Sequence, residues 1–463
     1  MSERASSSDS GATAERGVTA ERGATVERSV IAERGVIEMR RDLSDLRVVR
    51  VRQRWDQPDI ADLEAATSAA LERCGALARI RAGQEIAITA GSRGIASVPR
   101  ILRAIVNLVR ERGARPFIFP AMGSHGGGTA EGQRMMLAEL GITEATMGAP
   151  VRSSMEVVGL GTTSRGIPVF VDANAARADG IILVNRVKKH TNFDGPIESG
   201  LCKMAVIGMG KHTQAVTVHQ YGNYGLREYI PEVARVVFDT APVLAGVAIV
   251  ENAWGGVADL VGLAPGEIVE REPALFLRSK ALSAKIPFRE VDIALVERIG
   301  KEISGTGMDC YVIGRRRIIG EPEWPEAPNL RSLVLLDITP ASHGNAVGVG
   351  LADFTTRRLA EKIDWAITQK NVLTSGNMER AKLPFVYDTD REALETAAFR
   401  ERQTPLAALR LIAIRDTLHL RELLVSQPLL ESPEGRDTLE VLSDPMPLPF
   451  DTAGNWVSPF GAA

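Results

Sequence analysis

Residues 85–140, EIAITAGSRGIASVPRILRAIVNLVRERGARPFIFPAMGSHGGGTAEGQRMMLAEL, decide the fold class of this 463-residue chain. Residues 85–89 alternate apolar and polar side chains as a half-buried strand does. Residues 98–109 place their apolar side chains at the spacing of an amphipathic helix. A second short strand at 116–120 and a helix at 130–140 follow on either side of a glycine-rich loop. This alternation of strand, helix, strand and helix predicts a parallel α/β sheet.

The rest of the chain continues the same alternation. Further strands are predicted at residues 169–171, 181–185, 244–251, 293–297 and 333–337. Further helices are predicted at residues 226–238, 270–284, 351–368 and 391–399.

The length of the chain predicts more than one domain. A single hydrophobic core rarely grows beyond about 250–300 residues, and this chain has 463. We therefore predict two α/β domains with mainly parallel sheets, divided within residues 253–292. The predicted boundaries are an N-terminal α/β domain at residues 43–270, a C-terminal α/β domain at residues 271–426 and a proline-rich C-terminal tail at residues 427–463.

Residues 1–42 carry a short repeat, in which Glu-Arg recurs with a period of six residues. Six residues advance an α-helix by about 240°, so the repeat forms no continuous apolar stripe. We predict a disordered, repeat-containing tail here. A frayed helix is the alternative.

Composition excludes several classes of protein. The formal net charge of −3 gives no global reason to expect nucleic acid or a membrane surface as a partner. The three cysteines lie far apart and form no Cys-x-x-Cys pair, which argues against a structural zinc site, an iron–sulfur cluster and a disulfide framework. The N-terminus has no apolar signal-peptide core, so we expect a cytoplasmic protein.

A glycine-rich loop around a histidine is the first candidate site. The sequence from Gly123 to Thr129 is GSHGGGT, and it joins a predicted strand to a predicted helix. Ligands of open parallel sheets bind at the carboxyl ends of strands, and a helix N-terminus favours an anion. His125 lies within this loop and is a candidate for proton transfer. The alternative is a tight turn that binds nothing.

Two more candidates follow predicted strands. His190 ends a Lys-Lys-His sequence after the strand at 181–185, where the lysines favour the neutral imidazole as a base. Arg93 lies in the turn after the strand at 85–89 and is a candidate bidentate clamp for a carboxylate or phosphate. The alternatives are a polar loop and a solvated surface arginine.

Lys203 lies in an apolar, glycine-bounded stretch, GLCKMAVIGMG, at residues 200–210. Burial of a lysine lowers its pKa, and such a lysine acts as a nucleophile or carries a covalent cofactor. The alternative is that its ammonium reaches solvent. His212 and His219 follow, the latter sixteen residues after Lys203, and one of them is a candidate metal ligand. Lys301 lies in a strand-end turn that we expect to face a cleft, with ordinary turn chemistry as the alternative.

Together these motifs resemble the nickel-pincer lactate racemase family, which comprises 2-hydroxyacid racemases and epimerases. The resemblance runs from about residue 84 to residue 398. It rests on the sequences AMGSH at 121–125, KKH at 188–190 and GLCKM at 200–204, and on His219. It implies two α/β domains, the first binding the cofactor, with the active site in the interdomain cleft. The implied cofactor is a nickel-pincer nucleotide, a pyridinium-3-thioamide-5-thiocarboxylate mononucleotide that carries nickel.

The resemblance also implies a role for each candidate residue. His125 and His190 match the pair of acid/base histidines on opposite sides of the substrate. Lys203 matches the lysine that forms a covalent thioamide with the cofactor, and His219 matches the histidine that completes nickel coordination. Arg93 and Lys301 are expected to bind the substrate, and the remaining expected cofactor contacts are Gly123, Gly126, Ser199 and Gly200.

Two features depart from the founding pattern of the family. The interval from His190 to Lys203 is longer, and Ala90 stands where an acidic residue is expected. The expected substrate is therefore either lactate or a larger 2-hydroxy acid.

The chemistry of this expectation is coherent. Inverting C2 of a 2-hydroxy acid removes a hydride, which no amino-acid side chain accepts, so a cofactor must. Two imidazoles suit two enantiomers, whose hydroxyls point in different directions. We predict a racemase or epimerase, whose partners are a 2-hydroxy acid and, as candidates, proteins that make or deliver the cofactor. The alternatives are an oxidoreductase that releases a keto acid and a non-catalytic protein that binds a nucleotide or an organic anion.

Overall fold

The structure is a computed structural model that describes residues 39–92 and 94–461, without the side chain of Thr374. Arg93 and most of the predicted tail at residues 1–42 lie outside these described residues. The strands are β1 (Arg47–Gln53), β2 (Glu85–Ala90), β3 (Arg115–Pro120), β4 (Val157–Thr162), β5 (Pro168–Asp172), β6 (Gly180–Arg186), β7 (Val243–Glu251), β8 (Val257–Leu263), β9 (Glu290–Ile299), β10 (Asn329–Ile338), β11 (Phe354–Thr356), β12 (Phe385–Tyr387), β13 (Leu411–Ile414), β14 (Glu422–Ser426), β15 (Leu439–Val441) and β16 (Met446–Pro447).

The α-helices alternate with these strands over much of the chain. They are α1 (Leu63–Arg73), α2 (Ala76–Arg79), α3 (Val98–Glu111), α4 (Ala130–Glu139), α5 (Glu144–Met147), α6 (Ala173–Arg177), α7 (Leu201–Lys203), α8 (Lys211–His219), α9 (Gly222–Thr240), α10 (Pro265–Leu282), α11 (Arg357–Glu361), α12 (Trp365–Ser375), α13 (Asp390–Arg400), α14 (Gln427–Leu430) and α15 (Pro433–Thr438).

The first sheet, here called the N-terminal sheet, has the strand order β3-β2-β6-β7-β8. Its first four strands are parallel, and β8 is antiparallel to β7. Strands β2 and β6 are nearly continuous runs of buried side chains, as expected of parallel strands that helices cover on both faces. Because parallel strands end at the same edge, the loops after β2, β3 and β6 meet there.

The second sheet, here called the C-terminal sheet, has the order β12-β11-β10-β9-β13-β14-β1-β15, with β16 also paired to β1. Strands β9 to β13 pair in parallel along this path, whereas β14, β1 and β15 are antiparallel. The described residues thus form a mixed α/β protein with mainly parallel sheets, which confirms the predicted fold class. No helix among them is long and apolar enough to cross a membrane.

The sheet pairing departs from the predicted boundaries at both ends of the chain. Strand β1 pairs with β14 in the C-terminal sheet, with Val49 opposite Val425, although residues 43–270 were assigned to the N-terminal domain. Strands β15 and β16 lie in the predicted proline-rich tail at 427–463 and pair with β1. The alternation within a short strand predicts that it is a strand but does not specify its distant partner.

The predicted helix at residues 351–368 is wrong. This stretch contains the short strand β11 followed by α11 and the start of α12. Leu351, Leu359 and Ile363 are buried and mimic helical spacing, but Thr356 accepts a hydrogen bond from the Leu359 N–H as the N-cap of α11. Thr356 has an extended backbone as the last residue of β11, and as N-cap it marks the point at which α11 begins.

A nearly continuous helical path leads from α7 to α8 and carries the candidate cofactor residues. A π-helical turn, Met204–Gly208, follows α7, and every residue in it is buried. Lys203 ends α7 and His219 ends α8. Helix α8 packs on β5 and α9, so both ends of the path are held against the N-terminal part of the protein.

Candidate active site

The loop that carries His125 lies directly on this helical path. A Cβ atom added to Gly123 would lie 3.1 Å from the Ala215 Cβ and 3.3 Å from the Ile207 Cγ2. Such a contact is tighter than ordinary van der Waals packing, so glycine allows the loop to approach α8 closely. The fold therefore brings the His125 loop against the segment between Lys203 and His219.

Glycines also shape the loop itself. Gly126, Gly127 and Gly128 all have positive φ, which L side chains adopt at a cost. A Cβ atom on Gly126 would lie 2.5 Å from the carbonyl carbon of Gly132, in the first turn of α4. Gly126 is thus required for packing against α4, and its expected contact with a cofactor stays a prediction.

A buried lysine and glutamine hold this loop in place. The Lys211 Nζ donates hydrogen bonds to the Pro120 carbonyl (2.7 Å) and to the Gln133 Oε1 (2.6 Å). The Gln133 Nε2 lies within hydrogen-bond distance of the carbonyls of Met122 (3.1 Å), Gly123 (3.0 Å) and His125 (3.3 Å). Sequence reasoning missed both side chains, because lysine and glutamine are usually exposed.

Three of the candidate residues lie within electrostatic reach of one another. Burial is the main cause that lowers the pKa of His190 well below its ordinary value, and the nearby Lys203 and His219 lower it further. Partial desolvation lowers the pKa of His219 although the residue is exposed overall; the hydrogen bond to Ala215 opposes this shift, and Lys203 adds to it. Both imidazoles are therefore neutral at neutral pH, which is the form needed in a base or a metal ligand.

His219 is oriented by the helix that it ends. Its Nδ1 lies 2.7 Å from the Ala215 carbonyl. A carbonyl oxygen can only accept, so Nδ1 carries the proton and Nε2 keeps its lone pair. A backbone carbonyl commonly fixes a metal-binding histidine in this way. The donor set of His219 therefore fits a metal ion bound through Nε2.

His190 is held by its own loop. Its backbone N–H donates to the Glu198 carboxylate (2.6 Å), and its ring lies against Phe193 with the centroids 4.7 Å apart. The backbone N–H of Asn192 donates to the His190 Nδ1 (3.2 Å). In the neutral ring the proton therefore lies on Nε2.

Two buried carboxyl groups flank the candidate cofactor residues. The Glu272 Oε2 accepts a hydrogen bond from the Cys202 N–H (3.0 Å), and a Cβ on Gly200 would lie 2.5 Å from the Glu272 Oε1. Burial raises the pKa of Glu272 to about 7 and that of Glu198 also to about 7. Ser199 accepts from the Lys188 N–H through its carbonyl (2.8 Å). Gly200 is thus explained by close packing against Glu272, a residue that sequence reasoning missed.

Lys301 has partners within the C-terminal half. Its Nζ donates to the Gly305 carbonyl (2.5 Å) and to the Asn371 Oδ1 (3.0 Å), and its backbone N–H donates to the Ser342 Oγ (2.8 Å). These three hydrogen bonds hold Lys301 to residues of the C-terminal half. Its role toward a substrate stays a prediction, as does that of Arg93.

Side chains of the C-terminal half form an ion pair and a hydrogen bond with the loop that follows His190. The carboxylate of Asp194 pairs with the Arg316 guanidinium and accepts hydrogen bonds from Trp324 Nε1 (2.5 Å) and Lys189 Nζ (2.8 Å). Burial opposes ionisation of Asp194, but these three donors together lower its pKa to about 2. A cavity of about 380 Å³ lies beside this cluster, lined by residues that include Glu198 and Phe276. The two halves are thus joined next to His190.

Within the described residues, no three His, Cys, Asp or Glu side chains come together as a metal site. A metal ion bound by His219 would therefore need most of its other donors from a cofactor or substrate.

The fold and this site define an α/β protein with histidine and lysine side chains gathered at the carboxyl edge of a parallel sheet. Residues 36–222 match the family model described as the lactate racemase N-terminal domain. This part of the chain is therefore similar to the lactate racemase N-terminal domain. The match supports a racemase-like function and suggests an isomerase.

A solved structure resembles the chain in outline. It is the lactate racemase apoprotein from Thermoanaerobacterium thermosaccharolyticum, with 13% sequence identity, a TM-score of 0.42, and coverage of 80% of this chain and 88% of that chain. No curated protein sequence matches the chain.

Proposed function

We propose that this protein is a racemase or epimerase that inverts C2 of a 2-hydroxy acid, lactate or a larger one, with a nickel-pincer nucleotide as cofactor. One observation carries the proposal. Lys203 is electrostatically coupled to both His190 and His219 inside the part of the chain that matches the lactate racemase N-terminal domain.

The residues present fit such a cofactor. In the proposal Lys203 holds the nucleotide covalently, and His219 binds nickel through the Nε2 lone pair that its bond to Ala215 leaves. Gly123, Gly126, Ser199 and Gly200 belong to the loops that would line the nucleotide. When bound, this group would supply the hydride acceptor that amino-acid side chains lack.

The chain's own residues would move the proton and hold the substrate. His125 and His190 would exchange the hydroxyl proton, one for each enantiomer. In the described arrangement the lone pair of His190 lies on Nδ1, so accepting a proton at Nε2 requires the other tautomer. Arg93 and Lys301 would bind the carboxylate, for which Lys301 must exchange its bonds to Gly305 and Asn371.

The test uses the full chain purified from a host that makes the cofactor. Enantiopure 2-hydroxy acids, starting with lactate, are incubated in deuterated water and analysed for the opposite enantiomer and for deuterium at C2. The proposal expects inversion with the substrate hydrogen retained, because hydride returns directly. Release of a keto acid without inversion, or deuterium at C2, would contradict it.

Metal analysis and intact mass separate the cofactor from the reaction. Lys203→Ala is expected to remove both the covalent mass increment and the nickel, and His219→Asn to reduce nickel while keeping the increment. His212→Asn is the matched control, because His212 is an exposed histidine on the same helix α8. Nickel retained in the Lys203 variant would overturn the assignment of Lys203.

A further inference from the structure

Arg380 is a buried arginine of the C-terminal half that reaches the loop after His190. It is 2% exposed and lies in the short 3-10 helix Met378–Ala381. Its Nη1 donates to the Asn192 Oδ1 (2.6 Å) and its Nη2 to the Thr191 carbonyl (2.8 Å). A planar guanidinium that makes two such bonds fixes the orientation of both acceptors.

Asn192 links this clamp to the imidazole of His190. Its side-chain oxygen also accepts from the Thr191 Oγ1 (3.1 Å), and its carbonyl accepts from the Asn223 Nδ2 (3.2 Å). With both ends of the residue held, its backbone N–H points at the His190 Nδ1. That hydrogen bond favours the neutral tautomer with the proton on Nε2.

The two halves remain joined without Arg380. Asp194 contacts the side chains of Arg316 and Trp324. Arg380 bonds neither of these two side chains, although its Nε also donates to the Arg316 carbonyl (3.0 Å). Loss of Arg380 should therefore loosen the backbone at residues 191–192 while the halves stay together. This separates an effect on His190 from a general loss of structure.

We propose that Arg380 is a positioning residue, through which contact with the C-terminal half sets the tautomer and orientation of His190. The consequence for turnover rests on the proposed function, whereas the consequence for the tautomer does not. With its proton on Nε2, the imidazole can donate that proton to a substrate, and with its proton on Nδ1 it can accept one at Nε2 instead. The contacts of Arg380 therefore decide whether the Nε2 of His190 is set to donate a proton or to accept one.

The test reads the tautomer directly. The full chain is labelled with ¹⁵N-histidine, and the His190 signals are identified by their loss in His190→Gln. The Nδ1 and Nε2 chemical shifts are then compared in the wild type, Arg380→Gln and Asn192→Ala. The matched control is Arg315→Gln, since Arg315 is a buried arginine that bonds only within the C-terminal half, to the carbonyls of Leu330 and Leu351 and to Asp353.

We expect the Nε2–H tautomer in the wild type and in Arg315→Gln, and a mixture of tautomers in Arg380→Gln and Asn192→Ala. In the loaded enzyme, kcat should fall on the order of 10-fold or more in Arg380→Gln, with KM changed far less, because misplaced catalytic groups affect the reacting state. Wild-type His190 shifts in Arg380→Gln would overturn the proposal. If that variant does not fold, the same comparison in Asn192→Ala decides.

The two proposals fail separately. A wild type that inverts no 2-hydroxy acid while its His190 tautomer still depends on Arg380 would end the proposed function and leave the clamp standing. A wild type that inverts a 2-hydroxy acid, but whose His190 tautomer is unchanged in the Arg380 and Asn192 variants, would support the proposed function and end the proposal about Arg380.

Discussion

Lys211 donates a hydrogen bond of 2.6 Å from its fully buried ammonium to the side-chain oxygen of Gln133. This bond joins the start of α8 to helix α4 and, through the Gln133 amide nitrogen, to the carbonyls of the His125 loop. Asp172 lies 3.8 Å from the same ammonium and is also fully buried. These buried polar groups therefore connect the loop of His125, a candidate base, to α8, the helix that ends at the candidate metal ligand His219.

Replacing Lys211 with methionine should destabilise the protein by about 3–5 kcal/mol, because the substitution leaves the Asp172 carboxylate buried without its cation. Urea unfolding monitored by circular dichroism measures this. Lys280→Met is the control, since Lys280 forms a partly exposed pair with Glu326 and should cost within about 1 kcal/mol. Equal losses in the two variants would contradict the assignment.

The same residue predicts a pH dependence. Burial lowers the pKa of Lys211 to about 8 from its ordinary 10.5, although Asp172 opposes this. Between these two values the unfolded chain binds more protons than the folded one, so the contribution of Lys211 to stability rises with pH. In the Lys211→Met variant, the free energy of unfolding should no longer show this increase between pH 8 and pH 10.5. An unchanged slope would show that Lys211 does not titrate there.

Gln133→Glu should cost about 1–3 kcal/mol of stability, because it keeps the acceptor for Lys211 but removes the N–H groups that satisfy buried carbonyls. Under the proposed function, kcat of the cofactor-loaded protein should also fall as the His125 loop loses its support. Gln220→Glu is the matched control, because Gln220 is exposed and its side-chain amide donates to the nearby Thr217 carbonyl. A Gln133 variant as stable as the Gln220 variant would refute the role of the amide.

Gly126→Ala should be far more damaging than Gly127→Ala. Both glycines have positive φ, which costs alanine about 1 kcal/mol. Only at Gly126 would the new Cβ also collide with the backbone of Gly132 and Gln133, so we expect a total cost of roughly 3 kcal/mol. Thermal unfolding of the two variants measures the difference, and similar melting temperatures would contradict the described loop packing.

Compared with the wild type, the Glu272→Gln variant should gain more stability at pH 8 than at pH 5. Burial raises the pKa of Glu272 to about 7, so the folded state binds more protons than the unfolded chain between pH 4.5 and 7 and loses stability as pH rises through this window. Glutamine stays neutral and can still accept from the Cys202 N–H. Melting temperatures at both pH values test this, with Glu270→Gln on the exposed face of the same helix as control. An equal effect at both pH values would exclude a raised pKa.

The positions of several candidate residues in the fold follow from local signals, while their roles stay predictions. His125 and His190 directly follow strands of the N-terminal sheet, and parallel strands end at one edge. Lys203 and His219 are the two ends of one helical path, so a short stretch of chain sets their relation. Glu272 and Arg380 could not be predicted in this way, since their bonds to Cys202 and Asn192 span 70 and 188 positions of the chain.

The sequence by itself determined the α/β alternation, the mainly parallel sheets and the glycine loop, because periodicity and backbone preference act over a few neighbouring residues. Only the tertiary structure decided that β1 completes the C-terminal sheet, that Lys211 is buried beside Gln133, and that Arg380 grips the loop after His190. Strand partners and buried charges depend on burial and on complementary groups far along the chain, which no local pattern encodes.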